Sequence, residues 1–172
     1  MTVPLRADKH PLIVKTMTWP DEAATESFAR MLAGRPVINT ALIELQGDLG
    51  AGKTTFARYL LAALGVRGRI KSPTYTVVET YISDAPALDP GHNRAMSIWH
   101  FDFYRFNDPR EWEEAGFRDI FASPGLKLVE WPDKAAGHLP APDLVIAIEL
   151  LPDESRAVTL TAHSPAGAEL IA

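Results

Sequence analysis

The chain has 172 residues, 47% of them hydrophobic, a formal charge of −5 and no cysteine. That is enough apolar material for one compact domain, and the missing thiols exclude disulfides, thiolate zinc sites, iron–sulfur clusters and cysteine nucleophiles. The negative charge argues against a free-standing nucleic-acid binder, which draws most of its affinity from Lys and Arg on phosphates, and the apolar runs fall far short of the ~20 residues of a membrane-spanning helix.

Residues 1–20 carry Arg6 and Lys9, but their apolar stretch, 12–14, is too short for the core of a signal peptide, so a cytoplasmic location is expected. Residues 21–33 (DEAATESFARMLA) set Ala24, Phe28 and Leu32 at helical spacing behind Pro20 and stop at Gly34, which predicts an amphipathic helix. A Val-, Ile- and Leu-rich strand is expected over 37–45; it runs into a glycine-rich turn and then a helix over 54–64, closed by Gly65. Residues 75–82 (YTVVETYI) and 96–101 (MSIWHF) read as the strands of a β-hairpin, with a loose tip over 83–95 rich in Pro, Asp and Gly. Asp108 is placed to cap Pro109 at the start of a short acidic helix, PREWEEA. Strands follow at 126–130, 143–150 and 156–162, the last two joined by a turn at Pro152-Asp153. Strands that alternate with helices early and pair as hairpins later predict an α/β layer structure with a mixed sheet, in one domain over 1–172 with its core at about 21–162.

The string Gly47-Asp48-Leu49-Gly50-Ala51-Gly52-Lys53-Thr54 satisfies the phosphate-loop pattern G-x-x-x-x-G-K-(S/T) and stands between a predicted strand and a predicted helix, as that pattern requires. Glycines let the backbone wrap an anion, and successive N–H groups with the next helix N-terminus face the phosphates. Lys53 would reach the β- and γ-phosphates, Thr54 would ligate Mg²⁺, and Thr55 is a candidate for the α-phosphate. The blander reading is a glycine-rich strand-to-helix turn with an incidental lysine.

A phosphate loop needs a carboxylate at the end of a neighbouring strand. Asp102 and Glu130 both follow apolar strands, and spacing does not assign their roles. His100 shares a face with Asp102 if that strand continues, although a lone strand histidine is more often packed than catalytic. Trp131-Pro132 either packs in the core or offers an aromatic face to a nucleotide. Lys71-Ser72-Pro73-Thr74-Tyr75 is either an ordinary strand-entry turn or a switch loop sensing a γ-phosphate.

Taken in order, the strings GDLGAGKTTFAR, KSPTYTVVE, HFDFYR, DPREWEEAGFRD and LVEWP resemble the TsaE family of small ATPases in tRNA threonylcarbamoyladenosine biosynthesis. The resemblance covers about 21–132 and implies a P-loop NTPase-like three-layer α/β fold, with a central mixed sheet and a C-terminal antiparallel hairpin. It implies ATP or ADP with Mg²⁺, with Lys53 and Thr54 on the phosphates and metal. Glu130 falls at the family's second metal-site acid, Asp102 at the acid needed for hydrolysis, Ser72 to Thr74 in a switch-like loop, and Trp131 beside the nucleotide. It further implies an accessory role with TsaB and TsaD homologues, tRNA being contacted indirectly through that complex. The competing functions are a small P-loop kinase phosphorylating a metabolite and a pure binding module. An arginine-rich lid would mark the former, and no arginine cluster occurs in the second half. No N-K-x-D string is present to read guanine.

Overall fold

The computed structural model describes residues 11–83 and 95–172. Within them seven strands build one sheet: β1 (Ile13–Trp19), β2 (Leu42–Gln46), β3 (Val78–Ser83), β4 (Met96–Asp102), β5 (Leu126–Glu130), β6 (Leu144–Leu150) and β7 (Arg156–Ala162). Their spatial order is β1-β7-β6-β2-β5-β4-β3. The central β6, β2, β5 and β4 run parallel, while β7 and β1 on one flank and β3 on the other pair antiparallel. The helices are α1 (Glu22–Ala33), α2 (Lys53–Ala63), α3 (Glu111–Glu114), α4 (Arg118–Ala122) and α5 (Pro165–Leu170).

Strand alternation decides the layers. Ile43, Leu45, Ile98, Leu126 and Leu128 turn to one face, where they meet Phe28 and Leu32 of α1 and Phe56, Leu60 and Leu61 of α2. Leu42, Phe101 and Val129 turn to the other and pack with Phe103, Phe106, Trp112 and Phe117. The rings of Trp19, Phe28 and Phe56 lie 5.4 to 6.0 Å apart and tie β1, α1 and α2 together. The outcome is the expected three-layer α/β fold with a mixed sheet, and β6 with β7 is the C-terminal hairpin.

Several expected boundaries move. The strand expected over 37–45 begins only at Leu42, because Pro36, with its fixed φ and no N–H, opens a 3₁₀ turn over Pro36–Thr40. The strand expected from 75 begins at Val78, because the Val77 N–H closes a turn onto the Pro73 carbonyl at 2.8 Å. PREWEEA shortens to α3: Asp108 accepts from the Arg110 N–H and Glu111 from the Asp108 N–H, but the first turn closes by i→i+3 bonds, Glu111 N–H to the Asp108 carbonyl and Trp112 N–H to the Pro109 carbonyl, so the α-helix starts only at Glu111. Asp21 caps α1 through the Ala24 N–H at 2.9 Å, and the strand at 156–162 stands as read. The hairpin of β3 and β4 forms, but its tip over 84–94 lies outside the described residues. β1 and α5, beyond the expected 21–162 core, both pack: Trp19 and Leu170 are buried.

Candidate functional site

Three parallel strands deliver their carboxyl ends to one place. Leu45 of β2 stands opposite Glu130 of β5, which stands opposite Asp102 of β4; crevices outside such strand ends are where open α/β sheets bind ligands. β2 then breaks into residues 47–52. Gly47 has φ +145°, and a Cβ there would lie 2.3 Å from the Ile148 carbonyl oxygen on β6, so only glycine fits. The loop folds back through an Ala51 N–H bond to the Asp48 carbonyl at 3.1 Å, exposes Asp48, Leu49 and Gly50, and buries Ala51. Gly52 opens α2, and among the described residues no side chain caps it. The first-turn N–H groups and the positive end of the helix dipole are thus left facing outward, an arrangement suited to an anion.

Lys53, 5% exposed, lies folded over this loop: its Nζ donates to the carbonyls of Gly47 at 2.5 Å and Asp48 at 2.9 Å and sits 4.3 Å from the Trp131 ring centroid. Burial lowers its pKa, and the charges of Glu130, Asp102 and Asp48 oppose that shift. The Thr54 hydroxyl, one residue on, donates to Glu130 Oε1 at 2.7 Å. Asp102 is 4% exposed and held by both oxygens: Oδ1 accepts from the Tyr104 N–H at 2.9 Å, and Oδ2 from the Thr74 hydroxyl at 3.1 Å. Ser72 Oγ lies 2.9 Å from Thr74 Oγ1, so the Ser72-Pro73-Thr74 turn is fastened to the acid. Burial raises the Asp102 pKa and the charge of Glu130 adds to it, against the Tyr104 and Thr74 hydrogen bonds and His100.

The structure therefore brings Lys53, Thr54, Glu130, Asp102, Trp131 and Ser72 to Thr74 together at the carboxyl ends of the strands. Among the described residues no group of three or more His, Asp or Glu forms a ready-made cation cage. The Thr54 hydroxyl with one Glu130 oxygen instead fits a small hard cation that takes its other oxygens from phosphate and water. Two residues at the site carry backbone strain: Val77, with φ 68°, and Trp131, with φ 56°, a region that costs non-glycine residues about 1–2 kcal/mol. Val77 also accepts from the Asp102 N–H at 2.9 Å, so strain and catalytic candidate share a hydrogen bond.

Sequence reasoning missed the far side of the loop. There Trp19, Glu22, Thr25, Ala51, Gly52, Thr55 and Arg156 line a cavity of about 90 Å³. Arg156 Nε donates to the Ala51 carbonyl at 3.4 Å. Thr25 carried a signal: a hydroxyl on the apolar stripe of the predicted helix, buried with Phe28 and Leu32. Arg156 carried none, since only the non-local pairing of β6 with β2 returns the β6–β7 hairpin to the loop.

The family model described as "Threonylcarbamoyl adenosine biosynthesis protein TsaE" matches residues 19–158, which takes in the loop, both acids and Arg156. The chain belongs to the TsaE family. It is 38% identical over 146 residues to the tRNA threonylcarbamoyladenosine biosynthesis protein TsaE of Haemophilus influenzae, covering 85% of each chain. With the protein of that name from Bacillus subtilis it shares 33% identity over 153 residues, 87% of each. The crystal structure of Bacillus subtilis YdiB superposes with a TM-score of 0.69 at 27% identity, over 92% of this chain and 93% of that one. Among the described residues no helix is long and apolar enough to cross a membrane.

Proposed function

We propose that this chain binds ATP with Mg²⁺ at residues 47–54 and hydrolyses it slowly. In this reading it is an accessory protein for forming threonylcarbamoyladenosine next to the tRNA anticodon, acting on a complex of TsaB and TsaD homologues in the cytoplasm. The observation that carries this reading is the bond from Thr54 to Glu130, set between Lys53 and Asp102 at an uncapped helix start. Membership of the TsaE family and the names of its relatives support the pathway.

In this reading Gly47, Asp48, Leu49, Gly50, Ala51 and Gly52 supply the backbone that wraps the phosphates. Lys53 exchanges its two loop carbonyls for β- and γ-phosphate oxygens, and Thr55 meets the α-phosphate. The cavity beside Thr55, with Trp19 and Arg156, takes the nucleoside end. Thr54 and Glu130 hold Mg²⁺, which when bound supplies charge neutralisation on the phosphates. Asp102 orients a water molecule and receives its proton as the water oxygen bonds the γ-phosphorus and the bond to the ADP oxygen breaks; a carboxylate whose pKa is raised by burial is the better base near neutral pH. ADP and phosphate leave, and the partner complex is reset. A chain of charge −5 leaves the gripping of tRNA to its partners.

The test is a reconstituted multiple-turnover modification assay with the partner proteins, tRNA and γ-labelled ATP. Lys53→Ala and Asp102→Ala are each expected to cut hydrolysis by about 100-fold or more and to abolish support of modification, with wild-type label recovered as inorganic phosphate. Normal modification by both variants would sink the proposal, and label on a metabolite would identify a kinase instead.

A further inference from the structure

His100 has no part in the chemistry just described, yet its position is unusual. It lies in β4 two residues before Asp102 and on the same face, at 0% exposure, over a floor that includes the fully buried Ile98, Leu126 and Leu128. Among the described residues neither of its ring nitrogens has a hydrogen-bond partner, and neither has Glu130 Oε2. These orphans face one another: Nε2 is 3.3 Å from Oε2, close enough for an ion pair but out of line for a hydrogen bond. Leaving buried polar atoms unanswered is costly, and an apolar side chain would pack against that floor without the cost. A proton on Nε2 directed at Oε2 would answer both atoms.

We infer that His100 is a positioning residue for Glu130. Its Nε2–H donates to Oε2 and fixes the carboxylate, so that Oε1 remains on the Thr54 hydroxyl and the two oxygens are presented together to the cation. Thr54 approaches one carboxylate oxygen from α2 and His100 the other from β4, which leaves Glu130 a single orientation. The inference rests on the metal-site reading of Thr54 and Glu130 proposed above.

The test compares His100→Leu, which has no donor, with His100→Gln, whose amide reaches toward Oε2. Binding of an ATP carrying a fluorescent ribose tag is measured in EDTA and across a Mg²⁺ titration. Affinity in EDTA is expected to stay within about threefold of wild type for both, while the half-saturating Mg²⁺ concentration rises about tenfold or more in His100→Leu and returns to within about threefold in His100→Gln. A residue that merely fills space would lower affinity with and without Mg²⁺ alike, and an unchanged Mg²⁺ requirement in folded His100→Leu overturns the inference. Should the Leu variant fail to fold, His100→Asn replaces it: its shorter amide misses Oε2, and equal Mg²⁺ requirements for the Asn and Gln variants overturn the role. A readout free of nucleotide is the long-range ¹H–¹⁵N spectrum of the wild-type ring, expected to carry a proton on Nε2; a proton on Nδ1 alone overturns it. Wild-type chain that binds no nucleotide sinks the nucleotide reading and this role with it, whereas wild-type binding with an unshifted Leu variant sinks this inference alone.

Discussion

The four parallel strands shield charge from solvent at both of their ends, and the two ends treat it differently. At the amino-terminal end the half-buried Asp143 is answered on every side: Oδ2 accepts from the Leu42 N–H at 2.8 Å, Oδ1 from the Ser164 hydroxyl at 2.6 Å, its carbonyl from the His163 N–H, and its own N–H donates to the Leu42 carbonyl. Lys127, near the start of β5, donates to the Ser123 carbonyl and sits 5.3 Å from the Trp99 ring centroid, although burial still lowers its pKa. At the carboxyl end burial pushes Lys53 down and Asp102 up, Glu130 and His100 keep unanswered atoms, and Val77 and Trp131 hold left-handed backbone. Shielded charge that is fully hydrogen-bonded serves architecture; buried charge left partly bare around an uncapped helix start is poised for a ligand.

The harshest challenge to this contrast is Gly47→Ala. A Cβ aimed at a backbone oxygen that cannot swing away is expected to cost about 3 kcal/mol or more and to cut ATP hydrolysis by about 100-fold or more, read by urea unfolding and phosphate release. If the variant is neutral, the loop is not braced on β6 as described. Next in size, Asp143→Ala should lose roughly 1–3 kcal/mol, since two part-buried side-chain bonds go and the Leu42 N–H loses its partner. Its folded fraction should hydrolyse ATP at the wild-type rate, and a lowered rate per folded molecule would erase the distinction between the two ends.

The smallest effect runs in the opposite direction. Asp102 has a folded pKa above its ordinary 3.8, so the folded state holds the proton more tightly than the unfolded one. Folding is therefore penalised once the pH rises past the folded value and is not penalised below the unfolded value. Asp102→Asn should gain about 1 kcal/mol at pH 7, roughly 2–4 °C for a chain of this size, while losing hydrolysis. The gain should fade in thermal melts as the pH falls toward 4, and a gain independent of pH would show that the charge of Asp102 is not its source.

Much of the carboxyl end was legible in the sequence, because its signals are local. The loop is a contiguous string between a strand and a helix, and Asp102 and Glu130 each close an apolar run. Which acid stands nearer the loop was not legible: that depends on β5 lying between β2 and β4, a pairing order that spacing along the chain does not encode. β1 escaped notice because it is an edge strand, with Val14, Lys15 and Thr16 all exposed, and its partner β7 comes from the far end of the chain. α5 had a legible start in Ser164, which accepts from the Gly167 N–H at 3.0 Å ahead of Pro165. Gly167 speaks against a helix on propensity, yet a Cβ there would lie 1.9 Å from the Asp143 carbonyl oxygen, so close packing overrides it.

The placement of Trp131 gives the molecule an optical gauge. Its indole lies 4.3 Å from the Lys53 ammonium, and any anion that draws that ammonium away changes the field on the ring and with it the colour and yield of emission. Of the other three tryptophans, Trp112 is buried, Trp99 lies beneath the Lys127 ammonium at the far end of the strands, and Trp19 lines the cavity beside Thr55, away from Lys53 Nζ. Subtracting the spectrum of Trp131→Phe therefore isolates one reporter, and the arrival of a ligand can be followed in real time with no dye attached.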